Sequence, residues 1–519
     1  MGYNDGCSLA LQEGVMISWF QGSKQKWWVL LAAGLMMVVI NIDATIMNVA
    51  LAKVATDFNL PIDSAQWIIT LYVLLAAMVL IPSGRIADLT GKRDVHMCGV
   101  FIFLLGSIVA GLAVNFPMLL IGRALQGLGF GATIALTPIL ATMIFPAEQK
   151  GKALSFLTIL VAVGLALGPS VGGLLLHFFS WRYIFWLNVP FCAASILLTL
   201  AACPRDRVHS NERLDLLGLL FLMLSIFLLV YLLNQIELIG LFSMRFLSLS
   251  SLTLLVGFLF WLQNRRTAYP IICWSLFKNL NYSLIVLNRF LFLGCFAVIL
   301  LVMPLYLQNA LALSPLKTGF LLLAMTGFVG IASKLTGRHM DKLGFRLPQI
   351  LAGLLFVLAY FAFTGTVMFG YFPLIFVGFF LAGVATGMYF PSSIHGALVN
   401  SPKAQHGVAL SVFYTSAFMG SSSFVVLTGI FLHFYAFYAL THNEIGLLLA
   451  NFSAQEVQMM LHVATGIQSF KDQHWGLVSS YALQAFLVNI YIKGLVFILG
   501  ILVVVMLSAT CLALACRSK

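Results

Sequence analysis

Charge is the scarcest thing in this chain. Only 8% of its 519 residues are Asp, Glu, Lys or Arg, against about 25% in an ordinary soluble domain. Acids are the rarer sign, 16 against 28 Lys and Arg. Eight cysteines are present, without the spacing of a metal site. Those at 98, 192, 203, 273, 295, 511 and 516 lie in or beside apolar runs, so no disulfide is expected. No glycine-rich phosphate loop or nucleophile constellation occurs, which argues against an enzyme and against direct ATP drive. No cofactor is expected. The net charge of +12 is carried on loops and is no nucleic-acid signal.

What fills the chain is apolar. Hydrophobic residues make up 61% of it, in runs that often exceed the roughly 18 residues of a spanning helix. The runs are continuous, not alternating, which excludes a β-barrel. Fourteen spans are predicted, near 27–50, 65–83, 95–114, 117–143, 153–176, 183–203, 214–234, 246–264, 282–308, 316–334, 348–369, 372–399, 407–432 and 489–514. The first lacks a cleavage site and reads as a retained helix. With the N-terminus inside, inside segments hold 20 Lys and Arg and outside loops hold 5. That bias predicts both termini in the cytoplasm.

The organisation follows: a cytoplasmic tail over 1–26, a six-helix bundle over 27–203, a linker with two added helices over 204–281, and a second six-helix bundle over 282–519. The last contains a long extracytoplasmic loop, 433–488. Within it, 454–461 has apolar residues at helical spacing and predicts a short amphipathic helix. His433, His442, His462 and His474 are too irregularly spaced to predict a metal site.

The halves are related. Gly84-Arg85-Ile86-Ala87-Asp88-Leu89-Thr90-Gly91-Lys92-Arg93 follows span two, and Gly337-Arg338-His339-Met340-Asp341-Lys342-Leu343-Gly344-Phe345-Arg346 follows span ten. Both read G-R-x-x-D-x-x-G-x-R. The stretch from Gln149 to Ser155 matches Gln405 to Ser411, and Gly164 and Gly173 match Gly420 and Gly429. Two ordered pairs at nearly one offset indicate duplication. Both loops follow even-numbered spans, so the repeats are parallel and the architecture is 6 + 2 + 6, as in alternating-access carriers.

Asp43 stands inside the first span, where a carboxylate costs roughly 3 kcal/mol. It is the only acid well inside a span; the others lie in loops, tails or span ends. A buried acid of this kind is either a proton or ion site, or a structural polar group satisfied by a neighbouring helix. Arg123, near the start of span four, either snorkels outward or faces the interior and tunes a carboxylate. The loop motif is either a tight basic turn or a charge cluster gating the contact between bundles. Its glycines allow close approach, and Asp88 can pair with an Arg or a helix N-terminus. In span five, Gly164, Gly168, Gly172 and Gly173 make a flat packing face and Pro169 predicts a kink.

These motifs resemble those of the major facilitator superfamily, and within it the 14-helix drug:proton antiporter branch (EmrB/QacA-type). Gly84 to Arg93 is similar to the family's cytoplasmic loop signature. The stretch from Arg123 through Gln126 to Gly131 is similar to its fourth-helix motif, whose Arg is implicated in proton transfer. Gly164 to Gly173 resembles the fifth-helix antiporter motif, and Ile42 to Leu51, with Asn48, the branch's first-helix motif. Trp181 to Pro190 is also typical. The chain departs from the family pattern at Ala52, Leu89 and Ala324-Met325.

The resemblance implies a proton-coupled multidrug exporter of the bacterial inner membrane, working by alternating access on a small amphiphilic substrate. Asp43 and Arg123 would couple the proton, and the loops from Gly84 and Gly337 would gate. It also implies a periplasmic adaptor protein as a partner, with the long loop as docking surface. A metabolite importer or facilitator on the same fold, and a non-transporting receptor or scaffold, stay open beside it.

Overall fold

The computed structural model describes residues 24–206, 212–239, 243–311, 313–442, 460 and 481–516. The tail up to residue 23, most of the amphipathic stretch at 454–461, and His462 and His474 lie outside the described residues, as do the side chains of Pro169, Asp341 and His442.

With so few polar side chains, the backbone has to satisfy its own hydrogen bonds, and in lipid a helix does this within one segment. The described residues are accordingly helical. Thirteen helices are long and apolar enough to cross a membrane, and one pair bent by 41° brings the number to fourteen. The first six are α1 (Gln25–Asp57), α2 (Trp67–Thr90), α3 (Lys92–Gly111), α4 (Phe116–Ile134, continuing after the bend as Leu136–Met143), α5 (Lys150–Phe178) and α6 (Tyr183–Ala202). Then come α7 (Leu216–Ile239) and α8 (Met244–Arg266). The second half is α9 (Leu280–Leu305), α10 (Pro315–Leu343), α11 (Arg346–Phe369), α12 (Pro373–Val399), α13 (His406–His442) and α14 (Tyr481–Ala515). This is the expected all-helical 6 + 2 + 6 build.

Spans two and ten run past their expected ends at 83 and 334, to Thr90 and Leu343, so most of the G-R-x-x-D-x-x-G-x-R motif is helical and only Gly91 and Gly344 turn the chain. Further features differ from the sequence expectation. Span four is not straight. Pro138 cannot donate a backbone hydrogen bond, and its ring crowds the carbonyl four residues back, at Ile134, where the helix breaks. Helix α13 also runs ten residues past 432. Its extension is held by packing: Ala436 and Leu440 are buried in one cluster with Leu487 and Ile490 of α14.

The halves meet along two seams, α2 against α13 and α5 against α10. Each seam is closest at the end of the bundle that carries the loop motif. A Cβ on Gly84 would collide with the Gly407 carbonyl and the Ser411 side chain; one on Gly337 would collide with Ser155 and meet the Gly151 carbonyl at 2.9 Å. The repeats therefore exchange partners, each half's loop-motif glycine packing on the other half's matched Gln-x-Gly segment. Two turns from Gly337 along α10, Gly330 has only Ile159 within reach, at 4.0 Å. The α5/α10 seam thus loosens away from the motif end. The inserted pair is unsymmetrical. Helix α7 lies across the α2/α13 seam, where Leu222, Ile226 and Val230 join Leu74, Ala77 and Val412 in one buried cluster.

Candidate functional site

Helix α1 carries two functional faces. One packs on α5 through a glycine stripe. A Cβ on Gly164 would meet the Val38 carbonyl at 2.7 Å, one on Gly168 would run into Thr45, and one on Gly172 would meet Ile46 at 2.7 Å. Residues four apart share a helix face, so the three glycines act as one flat surface. Gly173 is not part of it, having nothing among the described residues within 4 Å of its Cβ position.

The other face carries Asp43, which is fully buried among helices of the first half. Arg123 Nη1 donates to Asp43 Oδ2 at 2.6 Å. Arg123 therefore points inward, and the outward alternative is removed. Its Nε donates to the Ile68 carbonyl at 2.9 Å, its Nη1 also reaches Gln126 Oε1 at 2.8 Å, and its guanidinium lies 4.1 Å from the Tyr72 ring centroid. Asp43 Oδ1 accepts from Asn188 Nδ2 at 3.1 Å and from Gln126 Nε2 at 3.4 Å. Gln126 and Asn188 both donate to Ser107 Oγ, at 2.8 and 3.4 Å. Five helices, α1, α2, α3, α4 and α6, thus share one network, in which α4 and α6 bond the acid directly and α2 and α3 hold its partners. A buried charge is stable only with such partners. Ser107 was not found from sequence, and Asn188 only as part of the Trp181 to Pro190 stretch without a role, since small neutral polar residues are unremarkable in a spanning helix.

The network is close to a central cavity without opening into it. That cavity, roughly 190 Å³, lies between the halves and is lined by Met37, Asn41, Thr158, Arg289, Phe390, Tyr414 and Phe418 among others. An aromatic row links the two. Tyr72 stacks on Phe130 at 5.3 Å, and Phe130 meets Phe418 edge-on at 5.9 Å. A larger hollow of about 380 Å³ beside Phe328 and Phe376 is lined only by apolar side chains and lies away from the charges.

Arg289 is the residue that sequence reading passed over. It sits in α9, 5% exposed, with no ion pair among the described residues. Its Nη1 donates to Ser393 Oγ at 3.2 Å, the guanidinium also bonds the Tyr389 hydroxyl, and among the described residues its Nε has no partner. Its guanidinium lies 4.9 Å from the Phe390 ring, 4.7 Å from Phe413 and 5.7 Å from both Tyr389 and Tyr414. The signal was available: residues 282–519 hold only four acids, Asp341, Glu444, Glu456 and Asp472, none inside a predicted span.

At the motif end, Asp88 pairs with a helix start and not with an arginine. Its Oδ1 accepts from the Gly407 N–H at 2.8 Å and its Oδ2 from the Val408 N–H at 2.9 Å, in the first turn of α13. Free N–H groups and the helix dipole both favour an anion there. Lys92 lies 3.4 Å away. Arg85 pairs with Glu212 at 2.7 Å, ahead of α7. Arg93 Nη2 donates to the Leu200 carbonyl at 3.2 Å, in α6. Gly91 (φ 119°) and Gly344 (φ 74°) turn the chain in the two copies, in a region that suits glycine. In the second copy Arg338 is exposed, and Arg346 donates to the Leu514 carbonyl. Asn48 is exposed and takes no part in the Asp43 network.

Comparison with known proteins agrees with this architecture. The family model described as "Major Facilitator Superfamily" matches residues 32–425. The chain belongs to this superfamily. Two relatives in Mycobacterium tuberculosis are similar to it. Multidrug resistance protein Stp is 34% identical over 63% of this chain and 60% of its own length. Drug efflux pump JefA is 30% identical over 77% of this chain and 79% of its own. The chain thus spans three fifths of Stp. A solved structure of a proton:xylose symporter, XylE, superposes with a TM-score of 0.54 at 16% identity, over 86% of this chain and 94% of that one. That likeness concerns the fold alone. Relatives and fold are those of membrane transporters, not enzymes.

Proposed function

We propose that this protein is a proton-coupled efflux transporter. It exchanges small amphiphilic or lipophilic compounds for protons by alternating access. The observation that carries the reading is the buried Asp43–Arg123 pair at 2.6 Å, held by neutral hydrogen-bonding groups beside a central cavity. Desolvation favours a neutral acid and a nearby cation favours the carboxylate. A rearrangement that separates Arg123 from Asp43 therefore promotes proton uptake, and their return expels the proton. Such a switch needs no cofactor beyond the proton gradient. Similarity to Stp and JefA supports efflux of drugs.

The gating reading rests on Asp88 bridging the halves at the first turn of α13. Opening that end breaks two hydrogen bonds to a charged group, each worth roughly 1.5–3 kcal/mol. The glycine stripe of α5 would carry the movement to α1. The proposed setting is a bacterial inner membrane with both termini cytoplasmic, from the Lys and Arg bias. A periplasmic adaptor bound at the loop after α13 belongs to the same proposal.

A second reading is transport of a metabolite. A riboflavin transporter of Clostridioides difficile, RibZ, is 27% identical over 62% of this chain. Proteoliposomes separate the readings. With a pH dye inside and an imposed gradient, addition of a drug panel should dissipate the gradient, and Asp43→Asn should abolish the response. Riboflavin flux with no proton movement would favour the second reading. Undiminished proton-coupled transport in Asp43→Asn would remove Asp43 from the coupling role.

A further inference from the structure

We propose that the central cavity binds an anionic amphiphile, a carboxylate or phenolate on an apolar body, with Arg289 as its counter-ion. This rests on the transport reading above and names its substrate class. Arginine stays protonated in proteins and carries five N–H donors. Here the described residues supply only neutral hydroxyls, Ser393 Oγ at 3.2 Å and the Tyr389 hydroxyl, and no carboxylate. Arg123 supplies the contrast within the same molecule, with Asp43, Gln126 and a carbonyl all facing it.

Arg289 is moreover a wall of the cavity, together with Phe390, Tyr414 and Phe418. A fork of unused donors beside aromatic rings matches a planar carboxylate on a ring or chain. The rings hold the empty guanidinium by cation–π contact and give the apolar body something to lie on. The N-terminal wall opposite offers Met37, Asn41, Thr158 and Leu165, with no charge among them. A cationic compound would meet Arg289 without a nearby acid to offset it. Asp43 is already paired and lies on another face of α1. The first helix of each half thus carries one buried charge, the acid in α1 and the arginine in α9.

Equilibrium dialysis of the purified full-length protein against three isosteric probes decides this. The probes are 1-naphthylacetate, 1-naphthylacetamide and a naphthylmethyl-trimethylammonium salt. The acid should bind about tenfold or more tighter than the amide, and the ammonium salt weakest. Arg289→Gln should bring acid and amide level, and Arg289→Lys should restore part of the preference. Thermal stability checks that the variants fold. A structural arginine predicts a lower Tm in Arg289→Gln; an unpaired binding arginine predicts an equal or higher one. Equal binding of acid and amide in the wild type, absence of binding by all three, or an acid preference that survives in Arg289→Gln would each overturn the proposal. Proton movement is read separately in liposomes. A protein that binds the acid selectively but moves no protons keeps this inference and overturns the antiport reading. Proton-driven transport of the ammonium probe but not of the acid does the reverse.

Discussion

Removing the Asp43 carboxylate leaves Arg123 buried without its counter-ion, whereas removing Arg289 leaves nothing unpaired. The two charges should therefore respond oppositely to neutralisation. Asp43→Asn should destabilise the protein by about 3–5 kcal/mol, as for other broken buried pairs. Asp43→Asn combined with Arg123→Gln should recover part of the loss, because the stranded cation is gone. Detergent melting curves of the three variants check this. The residue scale also shows what a sequence can carry. Asp43 was found by elimination, as the sole acid inside a span, and that argument needs no structure. Arg123 was ambiguous because its distance from the helix end permits both directions, and only the fold places it beside Asp43. Gln126 was flagged through family resemblance alone. Ser107 and Asn188 carry no individual signal; they matter because the fold brings Asn188 of α6 onto the carboxylate and Ser107 of α3 under its Gln126 and Asn188 donors.

At the level of elements, the glycines divide by what faces them. Gly168 faces Thr45 so closely that any side chain must push α5 away from α1, while Gly173 faces open space. Gly168→Ala should lower Tm and slow transport; Gly173→Ala should be neutral or stabilise by up to about 1 kcal/mol through helix propensity. The sequence presented the two as one motif, since spacing along a helix does not reveal which face has a neighbour. The latch at Asp88 predicts a movement. Spin labels at Lys152→Cys in α5 and Lys334→Cys in α10, both exposed at the motif end, should show a longer and broader distance distribution when Asp88→Ala is introduced. An unchanged distribution would remove the latch role. The bend in α4 was equally out of reach of periodicity, although its cause, Pro138, is plain once the break at Ile134 is seen.

For the whole molecule, the duplicated loops and the charge bias were enough to read the helix count, the 6 + 2 + 6 order and the parallel repeat. What they could not convey is how the repeats exchange partners across two seams, or that the inserted pair covers only one of them. Sidedness is testable directly. A membrane-impermeant maleimide should label Lys152→Cys only from the cytoplasmic face of oriented vesicles. The scarcity of charge then has an electrical consequence. One proton entering and one monoanion leaving both carry positive current inward, so each turnover would move two charges. At 100 mV, inside negative, each charge contributes about 2.3 kcal/mol. Voltage alone would then sustain an outward gradient of about 2,000-fold. Exchange of a proton for a monocation would move no net charge and draw nothing from voltage. In proteoliposomes without a pH gradient, a potassium diffusion potential set by valinomycin should therefore drive export of an acid and leave a monocation unmoved.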